Sequence, residues 1–493
     1  MIDILNGING ILWATPLIVL ILGGGLLFTL RSGLAQFRYL PRMISLTLKG
    51  DPGVVKDKTQ KSLTAYQALS MTLASAIGVG NIAGVATAIT FGGPGAVFWM
   101  WVMALLGAGT SIIENTLGQI YKEDLGGGEF RGGPAYYLER ATNKRIFGVL
   151  FAVATLLAYG WALYTPQTNA MAETMQAGFG IPPLATGIVS ALIFAVIVFG
   201  GAKRIGEFAS MVVPVMALAY VVLALVILGK NTGQIPATFS LIFRSAFNAE
   251  AALGGMVGAA IQWGVKRGIF SNEAGQGTSP HSGAAANVSH PLRQGLMQSL
   301  AVYVDTIIVC TATALMILIT GSYNVVTEAG TILINNVGDI PAGALNTQMA
   351  IDSAFPGFGA KFLALAVWFF TFTSCIVIAF YAESNAIYLM KRKDDRVINA
   401  LRVLGMSAMI FGAAYASDIV WALTDFGLGL MSWVNVLGLI VLHPIVIKTI
   451  KDYERQTRSG IENPVFDPVK LDIKHAKYWE NRLEEEKIEE LVV

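Results

Sequence analysis

Ala74-Ser75-Ala76-Ile77-Gly78-Val79-Gly80-Asn81-Ile82-Ala83-Gly84 is an uncharged, glycine-punctuated stretch inside a segment, residues 65–90, that is otherwise apolar enough to cross a membrane. Two glycines flanking one valine, followed by asparagine, open a helix rather than stiffen it. At membrane depth such an opening is tolerated only where protein or a cavity satisfies the freed N–H and C=O groups. The N-terminus of a half-helix then suits a substrate carboxylate, and freed carbonyls suit a cation or an ammonium group. Gly80 and Gly84 are also spaced as in close helix packing through small residues. Taken alone, the stretch fits binding and packing equally well.

Composition sets the class around it. Of 493 residues, 54% are hydrophobic and 13% charged, against about 25% charged in soluble domains. Charges are too few to cover a soluble surface of this size, so a polytopic all-α membrane protein is expected, with the lipid bilayer as its first partner. A net charge of +2 gives no pointer to nucleic acid, and no obligate protein partner is evident. Cys310 and Cys375 lie in apolar segments, which argues against a disulfide framework or a thiolate metal site. His281, His290, His443 and His475 lack ligand spacing, and no Ser/His/Asp set, Walker motif or HExxH occurs. An enzyme is not expected.

A span needs about 20 apolar residues. Eleven segments qualify, near 12–30, 65–90, 95–121, 146–165, 181–200, 208–229, 250–285, 296–320, 359–388, 397–416 and 427–447. The first lacks a basic flank before it and a cleavage site after it, so it reads as a retained span rather than a signal peptide. With the N-terminus outside and the C-terminus inside, 31 of the 34 Lys and Arg fall in inner segments, as positive-inside bias requires. The seventh segment is weakest, carrying Lys266, Arg267 and Glu273. Omitting it would move Lys391, Arg392 and Lys393 outside, and it is kept.

That segment contains a second polar, glycine-rich interruption, Trp263-Gly264-Val265-Lys266-Arg267-Gly268-Ile269-Phe270-Ser271-Asn272-Glu273-Ala274-Gly275-Gln276-Gly277. An inner loop is the bland alternative. Spans two and seven each begin a run of five, and because five is odd the second run is inverted. Interrupted helices at matching positions of inverted halves point to a transporter binding site. The chain divides into an extra N-terminal helix with a basic connector (1–64), a first five-helix repeat (65–229), a second (230–447) and a charged inner tail (448–493).

Gly92-Gly93-Pro94-Gly95-Ala96-Val97-Phe98-Trp99-Met100-Trp101-Val102-Met103-Ala104-Leu105-Leu106-Gly107 resembles the signature of the sodium:alanine/glycine symporter family. Gly78–Gly84, Gly132-Gly133-Pro134-Ala135-Tyr136-Tyr137-Leu138 and Lys266–Gly275 resemble its other blocks, so that the likeness runs from about residue 10 to 450. It implies the leucine-transporter fold, one extra helix and a 5+5 inverted repeat with two broken helices, in a bacterial or archaeal cell membrane. It also implies import of a small neutral amino acid with Na⁺, sometimes H⁺.

Carried onto this chain, the resemblance places the substrate carboxylate at Gly78, Val79, Gly80 and Asn81, above all at the Val79 and Gly80 amides. It places the ammonium at backbone carbonyls near Phe270, Ser271 and Asn272. Gln167 and Asn169 stand where the family has polar pocket residues, with polar cement between helices as their plain reading. The sodium site would take carbonyls of Ala74 and Ile77 and hydroxyls of Thr373 and Ser374, hard oxygens of the kind the ion needs. A hydroxyl on a membrane helix otherwise bonds its own i−4 carbonyl. Asn81 and Ser271 also match a second, substrate-adjacent sodium site of the fold. Alanine/glycine members commonly carry Trp near Ile378; Ile there frees room for a larger side chain.

Asp305 and Glu114 are intramembrane acids and so suspects for function, by proton relay or by pairing with Lys266 or Arg267. Capping or packing is the preferred account for Glu114, and no role is legible for Glu273. Phe37–Leu48 reads either as an inner-surface helix or as a connector, Glu123–Gly133 as a flexible loop, and Lys470–Leu491 as a solvated amphipathic helix. The expected function is Na⁺-coupled symport of alanine or glycine by rocking of spans two, three, seven and eight. An H⁺-coupled carrier, or one for a larger amino acid such as glutamine, is the alternative within transport, and an ion channel is the rival class.

Overall fold

The computed structural model describes residues 2–54, 62–247, 256–327, 329–415 and 418–492. Residues 250–255 of the seventh segment, and Lys56, Lys58 and Lys61 of the connector expected to be inner, lie outside these. The chain is a helical bundle, with two-stranded hairpins at 123–131 and 324–335. Among the described residues eight helices are long and apolar enough to cross a membrane, nine with the pair Ala65–Ala76 and Gly80–Gly92, which is bent by 49°. Pro183–Val198 is apolar but shorter, and Val257–Asn272 occupies the seventh segment. Every apolar segment expected from the sequence holds a helix.

The first broken helix starts on a reciprocal cap. The Thr64 hydroxyl accepts from the Gln67 amide at 3.1 Å, and the Gln67 side chain accepts from the Thr64 amide at 2.9 Å, satisfying two donors that a helix start leaves free. π-helical turns interrupt three further stretches, Gly80–Gly84, Ala158–Ala162 and Tyr303–Cys310. Turns of this kind concentrate at functional sites, and all three lie next to the breaks or the cavity between them.

The connectors and the tail are more ordered than expected. Leu40–Lys49 is an amphipathic helix with Met43 and Leu46 buried. The glycine-rich loop closes a hairpin pairing Glu123 with Arg131 and Asp124 with Phe130. The tail departs most from the sequence reading. Its helix Lys477–Val492 is not simply solvated. Trp479 is 2% exposed and its indole donates to the Gln119 carbonyl at 2.8 Å, while Arg482 donates to the Val288 carbonyl at 2.9 Å. The Lys122 ammonium sits 4.1 Å from the Phe130 ring and 4.4 Å from the Tyr478 ring. Aromatics in a charged run give no helical-period signal, and their docking site is distant in sequence. Upstream, Arg293 pairs with Asp51 and donates to the Glu462 carbonyl at 2.9 Å, so the tail is tied to the segments carrying Arg293 and Asp51.

Candidate functional site between two helix breaks

Ile77 leaves helical geometry at ψ 89°. The amides this frees are taken by side chains. Gly78 N–H donates to Asn81 Oδ1 and Val79 N–H to Gln167 Oε1, both at 3.0 Å. Residue 78 has no room for a side chain, since a Cβ there would lie 2.5 Å from Ser374 Oγ and 2.9 Å from Gln167 Oε1. Three elements therefore converge on one glycine.

The second helix ends at Asn272, and Glu273 follows in the left-handed region at φ 58°. The two breaks touch. A Cβ on Gly80 would lie 3.2 Å from Ser271 Cα and 3.4 Å from the Phe270 carbonyl oxygen. Asp305 joins them from the π-helical turn Tyr303–Cys310: its Oδ1 accepts from Asn81 Nδ2 at 2.6 Å and its Oδ2 from Ser271 Oγ at 2.7 Å. Asp305 does not pair with the basic residues of the second break. Lys266 pairs with Asp425 at 2.6 Å, and the Arg267 guanidinium lies 5.1 Å from the Trp263 ring and 5.6 Å from the Phe270 ring. Asn272 positions the break: its Oδ1 accepts from the Ala274 amide at 3.0 Å and its Nδ2 donates to Thr306 at 3.2 Å.

A narrow cavity of about 10 Å³ lies between the breaks, space for about one water. Ser75, Ala76 and Gly80 wall it on one side, and Phe270, Glu273 and Gln276 on the other. Tyr159, Leu163, Gln167, Ile378 and Leu428 close it. Gln167 is thus in the wall. Asn169, two residues further and about 200° around the helix, is half-buried and outside it. Glu273 Oε1 accepts from Ser75 Oγ at 2.6 Å and from the Tyr159 hydroxyl at 3.5 Å, and Oε2 accepts from Thr278 Oγ1 at 2.8 Å. Glu114 stands behind the second break, accepting from the Gly275 amide at 3.3 Å and from Asn435 Nδ2 at 3.0 Å. It caps and packs, as its plain reading had it.

Of the residues expected at the ion, Ser374 Oγ lies 2.9 Å from the Ala74 carbonyl oxygen and 3.1 Å from that of Ser75. It crosses from its own helix to the first break. Both hydroxyls also bond the Phe370 carbonyl of their own helix, Ser374 Oγ at 3.1 Å and Thr373 Oγ1 at 3.0 Å, and Ile77 forms the break itself. The oxygens brought together here, a hydroxyl and helix-end carbonyls, are of the hard type that alkali and alkaline-earth cations prefer. Sequence reasoning missed Ser75, Tyr159, Gln276 and Leu428 as wall residues. None carries a local signal except Gln276, a polar residue inside the second interruption.

One solved structure to which the chain is similar is MhsT in complex with L-phenylalanine, a transporter of the leucine-transporter fold. It has TM-score 0.53 and 12% identity, covering 80% of this chain and 99% of that one, and so speaks for the fold alone. Among curated proteins the chain is 46% identical to YrbD of Bacillus subtilis (strain 168), over 97% of this chain and 98% of that one. It is 41% identical to the sodium/proton-dependent alanine carrier protein of Bacillus sp. (strain PS3), over 87% of this chain and 97% of the relative. A family model described as the sodium:alanine symporter family matches residues 1–468. The chain is a multi-pass membrane transporter rather than an enzyme, and it belongs to the sodium:alanine symporter family.

Proposed function

We propose that the protein imports a small neutral amino acid, alanine or glycine, together with Na⁺ by alternating access. The observation that carries this is the meeting of the two helix breaks, Gly80 against Phe270–Ser271, around a closed cavity. Eleven crossings, one extra helix followed by inverted repeats at 65–229 and 230–447, with the N-terminus outside, account for that meeting, because inversion brings equivalent helices together at mid-membrane. The Gly80 end of the first break offers the positive end of a half-helix to the substrate carboxylate. Ser374, with the Ala74 carbonyl, offers oxygens to Na⁺. The cavity as it stands is too small for an amino acid, so loading and release require its walls to part. Rocking of spans two, three, seven and eight against the rest supplies that motion.

Proton coupling is the second reading, favoured by the buried acids Glu273 and Asp305 and by the name of the relative from strain PS3. Ile378 in the cavity wall, where a larger residue would leave less room, extends the substrate range toward glutamine. Uptake of labelled alanine into proteoliposomes, with Na⁺ replaced by K⁺ across a pH series, separates these readings. Uptake that needs Na⁺ at every pH supports the proposal. Sodium-independent uptake driven by a pH gradient overturns the ion assignment.

A further inference from the structure

Glu273 is the one formally charged residue in the cavity wall. It is 4% exposed and, among the described residues, forms no ion pair. Its partners Ser75, Thr278 and Tyr159 are neutral hydroxyls. A carboxylate offers about four acceptor positions; those three donors leave one. An uncompensated charge at membrane depth is costly and calls for a cation. The nearby basic side chains are engaged elsewhere, Lys266 with Asp425 and Arg267 over aromatic rings. Two other buried acids near the breaks point to other groups, Glu114 to Gly275 and Asn435 and Asp305 to Asn81 and Ser271.

The backbone supports a dedicated role. Glu273 adopts φ 58° at the helix end, a conformation that glycine or asparagine takes with less strain. Holding it there turns a helix-terminal residue into part of the cavity wall. The facing wall is Gly80, the start of the second half of the first broken helix. A positive helix end and a carboxylate on opposing walls match the two charges of a zwitterion.

Building on the amino-acid symport reading, we propose that the Glu273 carboxylate binds the substrate's ammonium group and makes a free primary amine a condition of transport. Ser75 and Thr278 hold the carboxylate in place, so the bond also links the first broken helix to the second whenever substrate is bound. Side-chain size is read elsewhere, at Ile378. Lactate, which replaces the ammonium by a hydroxyl at nearly the same shape, leaves Glu273 unpaired and is rejected.

The test uses the full chain in proteoliposomes. Glu273→Gln raises the alanine concentration for half-maximal uptake roughly 30-fold or more, the scale for removing one partner of a buried charge pair. Glu273→Asp recovers part of that loss, which a merely structural role for the side chain's shape does not predict. In the wild type, excess lactate does not compete with alanine. An unchanged half-saturation in Glu273→Gln, or lactate competing within tenfold of alanine, overturns the assignment. So does a shift in Na⁺ half-saturation with alanine affinity intact, which gives the carboxylate to the coupling ion instead. If Glu273→Gln does not fold, the lactate competition decides. Wild-type vesicles that take up no alanine overturn the transport reading, and the assignment with it.

Discussion

The carboxamide of Asn81 donates to Oδ1 of Asp305 at 2.6 Å, across 224 residues of sequence, while Ser271 donates to the other oxygen of the same carboxylate. One buried acid thereby clamps the first break to the second. Asp305→Ala removes the carboxylate that accepts from three buried side chains, Asn81, Ser271 and Thr306, and each buried donor left unsatisfied costs about 1–3 kcal/mol. The expected outcome is a lower melting temperature in detergent and a lower maximal alanine uptake. A variant that melts and transports like the wild type removes the clamp.

Ser374 and Thr373 separate in their geometry although they are adjacent in sequence. Both bond the Phe370 carbonyl of their own helix, and Ser374 in addition reaches the Ala74 carbonyl on the first broken helix. Ser374→Ala is expected to raise the Na⁺ concentration for half-maximal uptake by roughly tenfold, the scale of one lost oxygen contact to a charged group. Thr373→Ala is expected to shift it less. Equal and negligible shifts would remove both from the ion site.

Ile378 lines the cavity, and in the proposed function it sets the volume facing the substrate side chain. Ile378→Trp fills that wall, and added bulk in a packed site is poorly tolerated. Competition of alanine uptake by glutamine is expected to weaken strongly in this variant, with competition by glycine retained. Loss of glycine and glutamine competition in equal measure would show that Ile378 supports the wall without reading size.

Asp51, in the connector after Leu40–Lys49, offers a pH test. Burial raises its carboxyl, but the Ser289 amide, the Arg293 guanidinium and the Ser289 hydroxyl outweigh burial and hold it below the usual carboxylate value. With the folded pKa depressed, its stabilising contribution is complete above the unfolded value of about 3.9. That contribution is lost as pH falls through the folded value. Asp51→Asn, which leaves Arg293 buried and unpaired, is expected to cost about 3–5 kcal/mol at pH 7. The gap in melting temperature from the wild type should close as pH falls below about 4. A gap independent of pH would contradict the pairing.

Much of the fold was legible because its decisive signals are local. Gly78-Val79-Gly80-Asn81 announces a break by composition, and the long apolar runs place the helices around it. Gln167 was legible as a polar residue in an apolar span, but helical rotation, invisible in a list of candidates, separates it from Asn169. Glu273 had no readable role because its partners Ser75 and Tyr159 lie 198 and 114 residues away. The docked tail was misread for the same reason: Trp479 is buried against Gln119, 360 residues distant.

The central claim is that alanine enters with Na⁺ through the cavity between the breaks. Alanine is a zwitterion without net charge, so entry with a cation moves positive charge. The most direct test is the current evoked by an alanine concentration jump on proteoliposomes adsorbed to a solid-supported membrane. The account predicts an inward positive transient that grows with Na⁺, vanishes in K⁺ and varies little with pH. A transient that persists in K⁺ and follows the proton gradient would contradict it.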